Sequence, residues 1–421
     1  MSDTSEHIVI VGAGAASLMA ARALARAGKR VTILEARDRC GGRIHPLPAS
    51  EFGYAADGGA EFVHGEAPVT RGLAREAGLS VRTIGGTQWS FDGKAFSRES
   101  PRDAYHEKLH AAVKELTDDL TVADFLRRHF AGPEYARLRH AVERMVEGYD
   151  AADPERASTL ALRDEWMNDG HATQGRIDGG YGRLIDFLAA ECRKSGAAIH
   201  LGAVVVAIEE SGGKVVVRCA GGEEQICDRV ILTVPLPLLR EIALPAAART
   251  KAAAADDIGF GSVIKLLLRF KRPWWREREE LADMLFLLSD ETIPVWWTRQ
   301  DQHHVLTGWF GGPRTAELSH LDPQGLIDAG LDSLAAIFNR PREDIARGLV
   351  AAAAANWAHD PFARGAYSWA TPQTRAAQEI LARADGSVLF SGEALYRGRD
   401  MGTVEAALAS GVETAGLILQ G

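Results

Sequence analysis

Cysteine is scarce: four residues in 421, with no two forming a C-x-x-C pair. Cys40, Cys192, Cys219 and Cys227 therefore offer neither a zinc knuckle nor a redox dithiol, and free thiols in a reducing compartment are expected. Long apolar runs are absent too, since none approaches the roughly 18–20 residues that span a bilayer. The polar start MSDTSEH runs within a few residues into a strand, which leaves no room for a signal peptide, so a cytoplasmic protein without membrane contact is expected. Positive charge is not in excess: 48 Lys and Arg stand against 57 Asp and Glu, a net charge of −9. That balance argues against nucleic acid as a partner and suits cationic small molecules. Neither a G-x-S-x-G elbow nor a G-x-x-x-x-G-K-[ST] loop occurs.

What is present is glycine and alanine in pattern. The length implies two domains, and the hydrophobic share of 46% with 25% charged residues is that of a globular protein. His7–Val11 and Arg30–Leu34 read as strands around an alanine-rich helix that Gly28 stops, which makes one βαβ unit. Residues 100–150 turn helical and charged, with Thr121 and Asp124 spaced as a capping box. Residues 181–195 read as another helix, and Gly212-Gly213 and Gly221-Gly222 punctuate hairpins between 199 and 234. Apolar stretches at 264–270, 284–288, 295–298 and 305–310 predict a second sheet, 315–340 a helix, 387–391 a strand and 403 onward a final helix. No internal repeat or low-complexity linker separates these parts, so the domains are expected to interleave.

The stretch VGAGAASLMA holds the strongest local signal. In a strand–turn–helix, Gly12 permits the tight turn and Gly14 lets the backbone approach a pyrophosphate, which then sits on the free amides of Ala15 and Ala16 at the helix N-terminus. Ser17 occupies the place of the usual third glycine; its hydroxyl is expected to bond back to the Ala13 carbonyl. Glu35, 21 residues after Gly14, ends the second strand where an acid accepts from ribose hydroxyls. Beyond it, LEARDRCGGRI adds Arg37, Arg39, Gly42 and Arg43, a basic glycine turn suited to a second wrap around the pyrophosphate. A nicotinamide site has no need of this second turn; a flavin dinucleotide does.

Five stretches carry a resemblance over nearly the whole chain: GAGAASLMAARALARAGKRVTILEARDRCGGR, DGGAEFVHG, ILTVPLPLL, NWAHDPFARGAYS and LFSGEALYRGRDMGTVEAALASG. In these the sequence resembles the flavin-containing amine oxidases, which include monoamine oxidases, polyamine oxidases and flavin histone demethylases. The resemblance implies an α/β (α+β) fold: a Rossmann-like FAD-binding domain (1–80, 180–262 and 365–421) interleaved with a substrate domain of mixed sheet and helices (81–179 and 263–364). It adds Gly59, Ala60, Glu61, Val205, Trp357, Gly392, Glu393, Thr403 and Val404 to the cofactor residues. Val205 would lie by the adenine, Glu393 near the ribityl and pyrophosphate, and the Thr403 and Val404 amides at the flavin's pyrimidine edge. A helix N-terminus there would stabilise negative charge on the reduced flavin.

Lys265 stands mid-strand in GSVIKLLLRF, and alternation puts it on the face opposite Ile264 and Leu266. An exposed or snorkelling lysine is the ordinary explanation; the resemblance instead implies a lysine holding a water near flavin N5. It also makes Tyr367 one wall of the amine's path and puts His64 at its mouth, although a solitary histidine there reads equally as an ordinary loop residue. Ala366 replaces the cysteine that tethers flavin in monoamine oxidases, so non-covalent FAD is expected. Thr403 replaces their second tyrosine, and on both counts the chain is more similar to polyamine oxidases and histone demethylases. The implied reaction is hydride transfer from the α-carbon of a polyamine or other primary or secondary amine to flavin N5, imine hydrolysis, and reduction of O2 to H2O2.

Three readings compete. A flavin L-amino-acid oxidase would need an arginine clamp for the carboxylate, with Arg364 a candidate. An FAD-bound, non-catalytic interaction protein would have little use for Lys265. Finally, HEKLH, His106 to His110, matches a zinc-binding helix pattern, but its charge and the lack of a third ligand favour a solvated helix face and no metal.

Overall fold

A computed structural model describes residues 5–98, 105–166, 174–299 and 303–420. Five parallel strands form its first sheet, in the order Ala198–His200, Arg30–Leu34, His7–Val11, Arg229–Leu232, Val388–Phe390. The two strands His7–Val11 and Arg229–Leu232 read HIVIV and RVIL because both faces of a parallel sheet are covered. The chain leaves the middle strand, His7–Val11, at Gly12 and enters the helix Ala15–Arg26. Neighbours on the two sides of that strand run to opposite halves of the sheet, so its carboxyl end is a topological switch point, where α/β sheets bind ligands.

The first helix is buried nearly all round, between the sheet, the helix Tyr181–Lys194 and the C-terminal helix Val404–Gln420. Gly28 ends it as expected: at φ +83° its amide donates to Ala25 O at 3.0 Å and the next amide, Lys29 N, to Leu24 O at 3.1 Å. The glycine pairs at 212–213 and 221–222 turn a three-stranded antiparallel sheet of Val205–Ser211, Lys214–Cys219 and Glu224–Cys227.

The second large sheet has seven strands, in the order Leu349–Asn356, Val263–Phe270, Val305–Gly311, Val295–Thr298, Met284–Ser289, Thr87–Phe91, Phe96–Ser97. Four of these match the apolar stretches of the sequence. The edge strand Leu349–Asn356, LVAAAAAN, does not: alanine favours helix, and only pairing with Val263–Phe270 makes this run extended. Ile264, Leu266 and Leu268 pack with Trp296 and Leu331, the latter on the helix Pro323–Phe338, while Leu267 points the other way onto Phe52. Both faces of the Lys265 strand are therefore closed, and alternation holds.

A helical layer lies beside this sheet. Thr121 caps the helix Val122–His129, accepting from Asp124 N at 3.1 Å; the Asp124 carboxylate accepts from the Thr121 hydroxyl at 2.9 Å rather than from its amide, so the cap is not a full box. The expected helix over 315–340 is split by a second cap of the same kind: Asp322 accepts from Gly325 N at 2.8 Å and starts a new helix at Pro323. Among the described residues no helix is long and apolar enough to cross a membrane.

Candidate active site

A cavity of about 1410 Å³ opens at the carboxyl end of the parallel sheet and runs to the seven-stranded sheet. Of the sequence-expected residues, Gly12, Gly14, Ala15, Ala16, Glu35, Arg37, Gly42, Arg43, Gly59, Ala60, Glu61, His64, Val205, Lys265, Trp357, Tyr367, Gly392, Glu393, Thr403 and Val404 all line it. Ser17 does not. It is buried, and its hydroxyl donates to Gly12 O rather than to Ala13 O. The helix begins only at Ala15, and Ala13 O is already taken by Gly41 N at 2.8 Å.

The glycines fit a dinucleotide. Gly12 has φ +101°, and a Cβ there would come within 2.7 Å of Thr233 Oγ1. At Gly14 and Gly392 a Cβ would meet no protein atom within 4 Å, although both line the cavity. At Gly42, φ +56°, the one neighbour is Gly14 Cα at 3.8 Å, so the two glycine turns face each other. Gly14 also caps the first helix without a side-chain bond, and no acid lies in its first turn. Bare amides beside open space are what a pyrophosphate requires.

The charged residues around this end hold one another. Glu35 accepts from Ala13 N at 2.6 Å and Arg37 N at 2.9 Å, which leaves acceptor capacity for ribose hydroxyls. Arg37 forms a two-pronged pair with Asp360 at 2.5 and 3.0 Å, Arg39 donates to the carbonyls of Cys40, Gly42 and Ile44, and Arg43 bridges Glu393 at 2.7 Å and Ala366 O at 2.8 Å. Arg37 and Arg43 brace the second glycine turn against residues 360–393, and Arg39 holds the turn together from within.

The second helix tip, at Thr403 and Val404, meets the same cavity. Thr403 Oγ1 accepts from Ala406 N at 3.2 Å and donates to Asp400 O at 2.6 Å. Trp357 is buried, donating to Gly58 O at 3.3 Å. Tyr367 stacks on Trp309, with ring centroids 6.3 Å apart and planes 20° off parallel, and donates to Tyr149 O at 2.6 Å. His64 Nδ1 lies 3.3 Å from the Tyr149 hydroxyl.

Lys265 is 1% exposed. Its ammonium donates to Gly59 O at 3.0 Å and to Glu61 at 2.9 Å, 5.5 Å from the Trp297 ring centroid. The snorkelling alternative is thereby excluded. Burial alone would raise the Glu61 pKa, but the charges of Lys265 and Arg176 and the bond from Lys265 outweigh it and bring the carboxyl to about 2. Asp57, buried nearby, goes the other way, to about 7, through burial and the Glu61 charge.

Sequence reasoning missed Phe62, Tyr149, Trp297 and Trp309 on the cavity wall, and Arg176 behind it. Alternation in VWWT would have separated Trp296, in the core, from Trp297; nothing local marks Arg176. Arg364, the candidate carboxylate clamp, does not line the cavity; it is 47% exposed at its side chain and pairs with Glu241 at 3.3 Å. No group of three metal-ligating side chains occurs among the described residues, which include His110 but not the His106 side chain.

In overall fold the chain is similar to a solved putrescine oxidase bound to putrescine, with a TM-score of 0.81, 99% of each chain covered and 19% identity. Polyamine oxidase 5 from Oryza sativa subsp. japonica is 27% identical over 97% of this chain and 86% of its own length. Lysine-specific histone demethylase 2 from Homo sapiens is 26% identical over 98% of this chain, but the chain spans about half (53%) of that relative. The sequence model of flavin-containing amine oxidoreductases matches residues 16–419, and the chain belongs to that family, whose flavin, FAD, the cavity fits.

Proposed function

We propose that this chain is an FAD-dependent amine oxidase acting on a polyamine or another primary or secondary amine. The observation that carries the reading is one continuous cavity lined by two glycine turns, two helix N-termini, Lys265 and an aromatic wall. Gly12, Gly14 and Gly42 would receive the pyrophosphate, Glu35 the ribose, and Thr403 and Val404 the pyrimidine edge. Bound there, FAD supplies the two-electron acceptor for the amine's hydride and passes the electrons on to O2. Tyr367 and Trp309 offer flat apolar faces that orient an alkyl chain and exclude water, and His64 with Tyr149 offers a polar contact for a nitrogen.

None of the four cysteines lines the cavity, and Ala366 does, which supports non-covalent cofactor. The outward position of Arg364 removes the candidate that favoured an amino-acid oxidase. The test is anaerobic mixing of the yellow protein with a panel of polyamines, monoamines and amino acids, followed by admission of air. Bleaching by a polyamine and peroxide on reoxidation are expected. Yellow protein that no amine bleaches overturns the reading, as does bleaching by amino acids alone.

A further inference from the structure

The buried Lys265 ammonium has three protons, and the protein takes two of them: one goes to Gly59 O and one to Glu61. Tetrahedral geometry then fixes the direction of the third, and Lys265 lines the cavity. Glu61 is itself held from behind. Arg176 Nε donates to its second oxygen at 2.8 Å, and Trp297 Nε1 lies 3.3 Å from both oxygens. Arg176 comes from the strand Gln174–Ile177, which pairs with Val63–His64 and Val81–Thr83, whereas Lys265 and Trp297 belong to the seven-stranded sheet. All three charged side chains are at most 12% exposed.

We propose that Glu61, braced by Arg176, is the positioning residue that aims the free N–H of Lys265 into the cavity, so that Arg176–Glu61–Lys265 acts as one unit. The inference rests on the amine-oxidase reading above. A buried pair gains little net stability, because desolvation offsets attraction. Removing one partner, however, leaves an uncompensated charge and a side chain with no fixed direction. Two cations around one anion leave the unit at +1, and the other charged groups facing it are Asp57 and Arg299.

The test compares E61Q, the charge-balanced E61Q/R176Q, K265M and E61Q/K265M, each loaded with FAD. E61Q/R176Q keeps the buried charge at +1 and guards against a simple folding failure. Anaerobic flavin reduction by amine is followed from pH 6 to 9.5, alongside the visible spectrum of bound FAD and thermal melting. E61Q and E61Q/R176Q are each expected to reduce at least about tenfold more slowly, with a rate profile against pH that differs in shape from wild type and shifted flavin absorption bands. Glu61→Asp, which keeps the charge, is expected to recover part of the rate, and E61Q is expected to add no loss in the K265M background.

A charge-balanced variant with wild-type rate, pH profile and spectrum overturns the proposal, and so does full additivity of E61Q with K265M. If E61Q alone fails to fold, the double variant decides. Failure of the wild-type protein to bleach with any amine would instead refute the underlying reading, which is a separate outcome.

Discussion

Gly411 of the C-terminal helix lies against Ala16 of the first helix so closely that a Cβ on it would stand 2.3 Å from the Ala16 carbonyl oxygen. The two helices whose N-termini line the cavity are thus in direct backbone contact, and their spacing sets the distance between the two tips. The dinucleotide motif usually places at residue 17 a glycine that packs helix on strand; here a buried Ser17 takes that place, and the close approach of the two helices rests on Gly411.

Gly411→Ala therefore forces the helices apart. It is expected to lower stability by about 1–3 kcal/mol, as overpacking does, and to weaken FAD binding. Thermal melting and a fluorescence titration of apoprotein with FAD check both. Unchanged affinity would show that the helix spacing does not govern the site.

Gly12→Ala meets two obstacles, a φ of +101° and the Thr233 hydroxyl. A Gly12→Ala/Thr233→Ala double variant removes the clash but not the backbone strain of about 1–3 kcal/mol. The single variant is expected to purify colourless and the double to recover FAD only in part, read from the ratio of flavin to protein absorbance.

Glu147 lines the cavity half-buried and accepts from Arg144 at 3.2 Å, which favours its charged form, but burial together with Glu143, Asp153 and Glu317 outweighs that pair and raises the carboxyl to about 7. The folded state thus holds a proton that the unfolded chain, at 4.5, has released. Its ionisation opposes folding progressively as pH rises from 4.5 to about 7, and the cost then stays level. Glu147→Gln is expected to melt higher than wild type at about pH 8 and equally at about pH 4.5, on either side of that window. An increment independent of pH would contradict the assignment.

An alkylammonium must lose its proton before its α-carbon can give up a hydride, and its pKa is about 10.4. Flavin reduction at subsaturating amine is expected to rise with pH toward about 9.5, as the free base appears. A flat profile would remove the free-base requirement. Acid precipitation of the holoprotein is expected to leave the yellow colour in the supernatant; colour in the pellet would mean a covalent tether.

The βαβ unit is legible in the sequence because its signals are local. A strand, Gly12, Gly14, an alanine helix and Glu35 each act on neighbours a turn or a strand away, and the structure keeps them in that order. Lys265 is legible in face, since alternation is a property of the strand itself, but not in environment. Its partners lie 204 and 206 residues away, at Glu61 and Gly59. The Ser17 acceptor departs from expectation, and the alanine edge strand Leu349–Asn356 is not legible in the sequence, for a related reason. Local propensity and helix periodicity yield there to a partner strand and to a helix that starts only at Ala15.

Short-range steric and hydrogen-bonding rules thus determined the first glycine turn and the strands His7–Val11 and Arg30–Leu34 from the sequence alone. Only the tertiary structure decided that Arg176 braces Glu61, that Arg364 faces away, and that Tyr367 stacks on Trp309. Side chains distant in sequence carry no periodic trace of one another, and the closure of two sheets over one cavity is what brings them within a few ångströms.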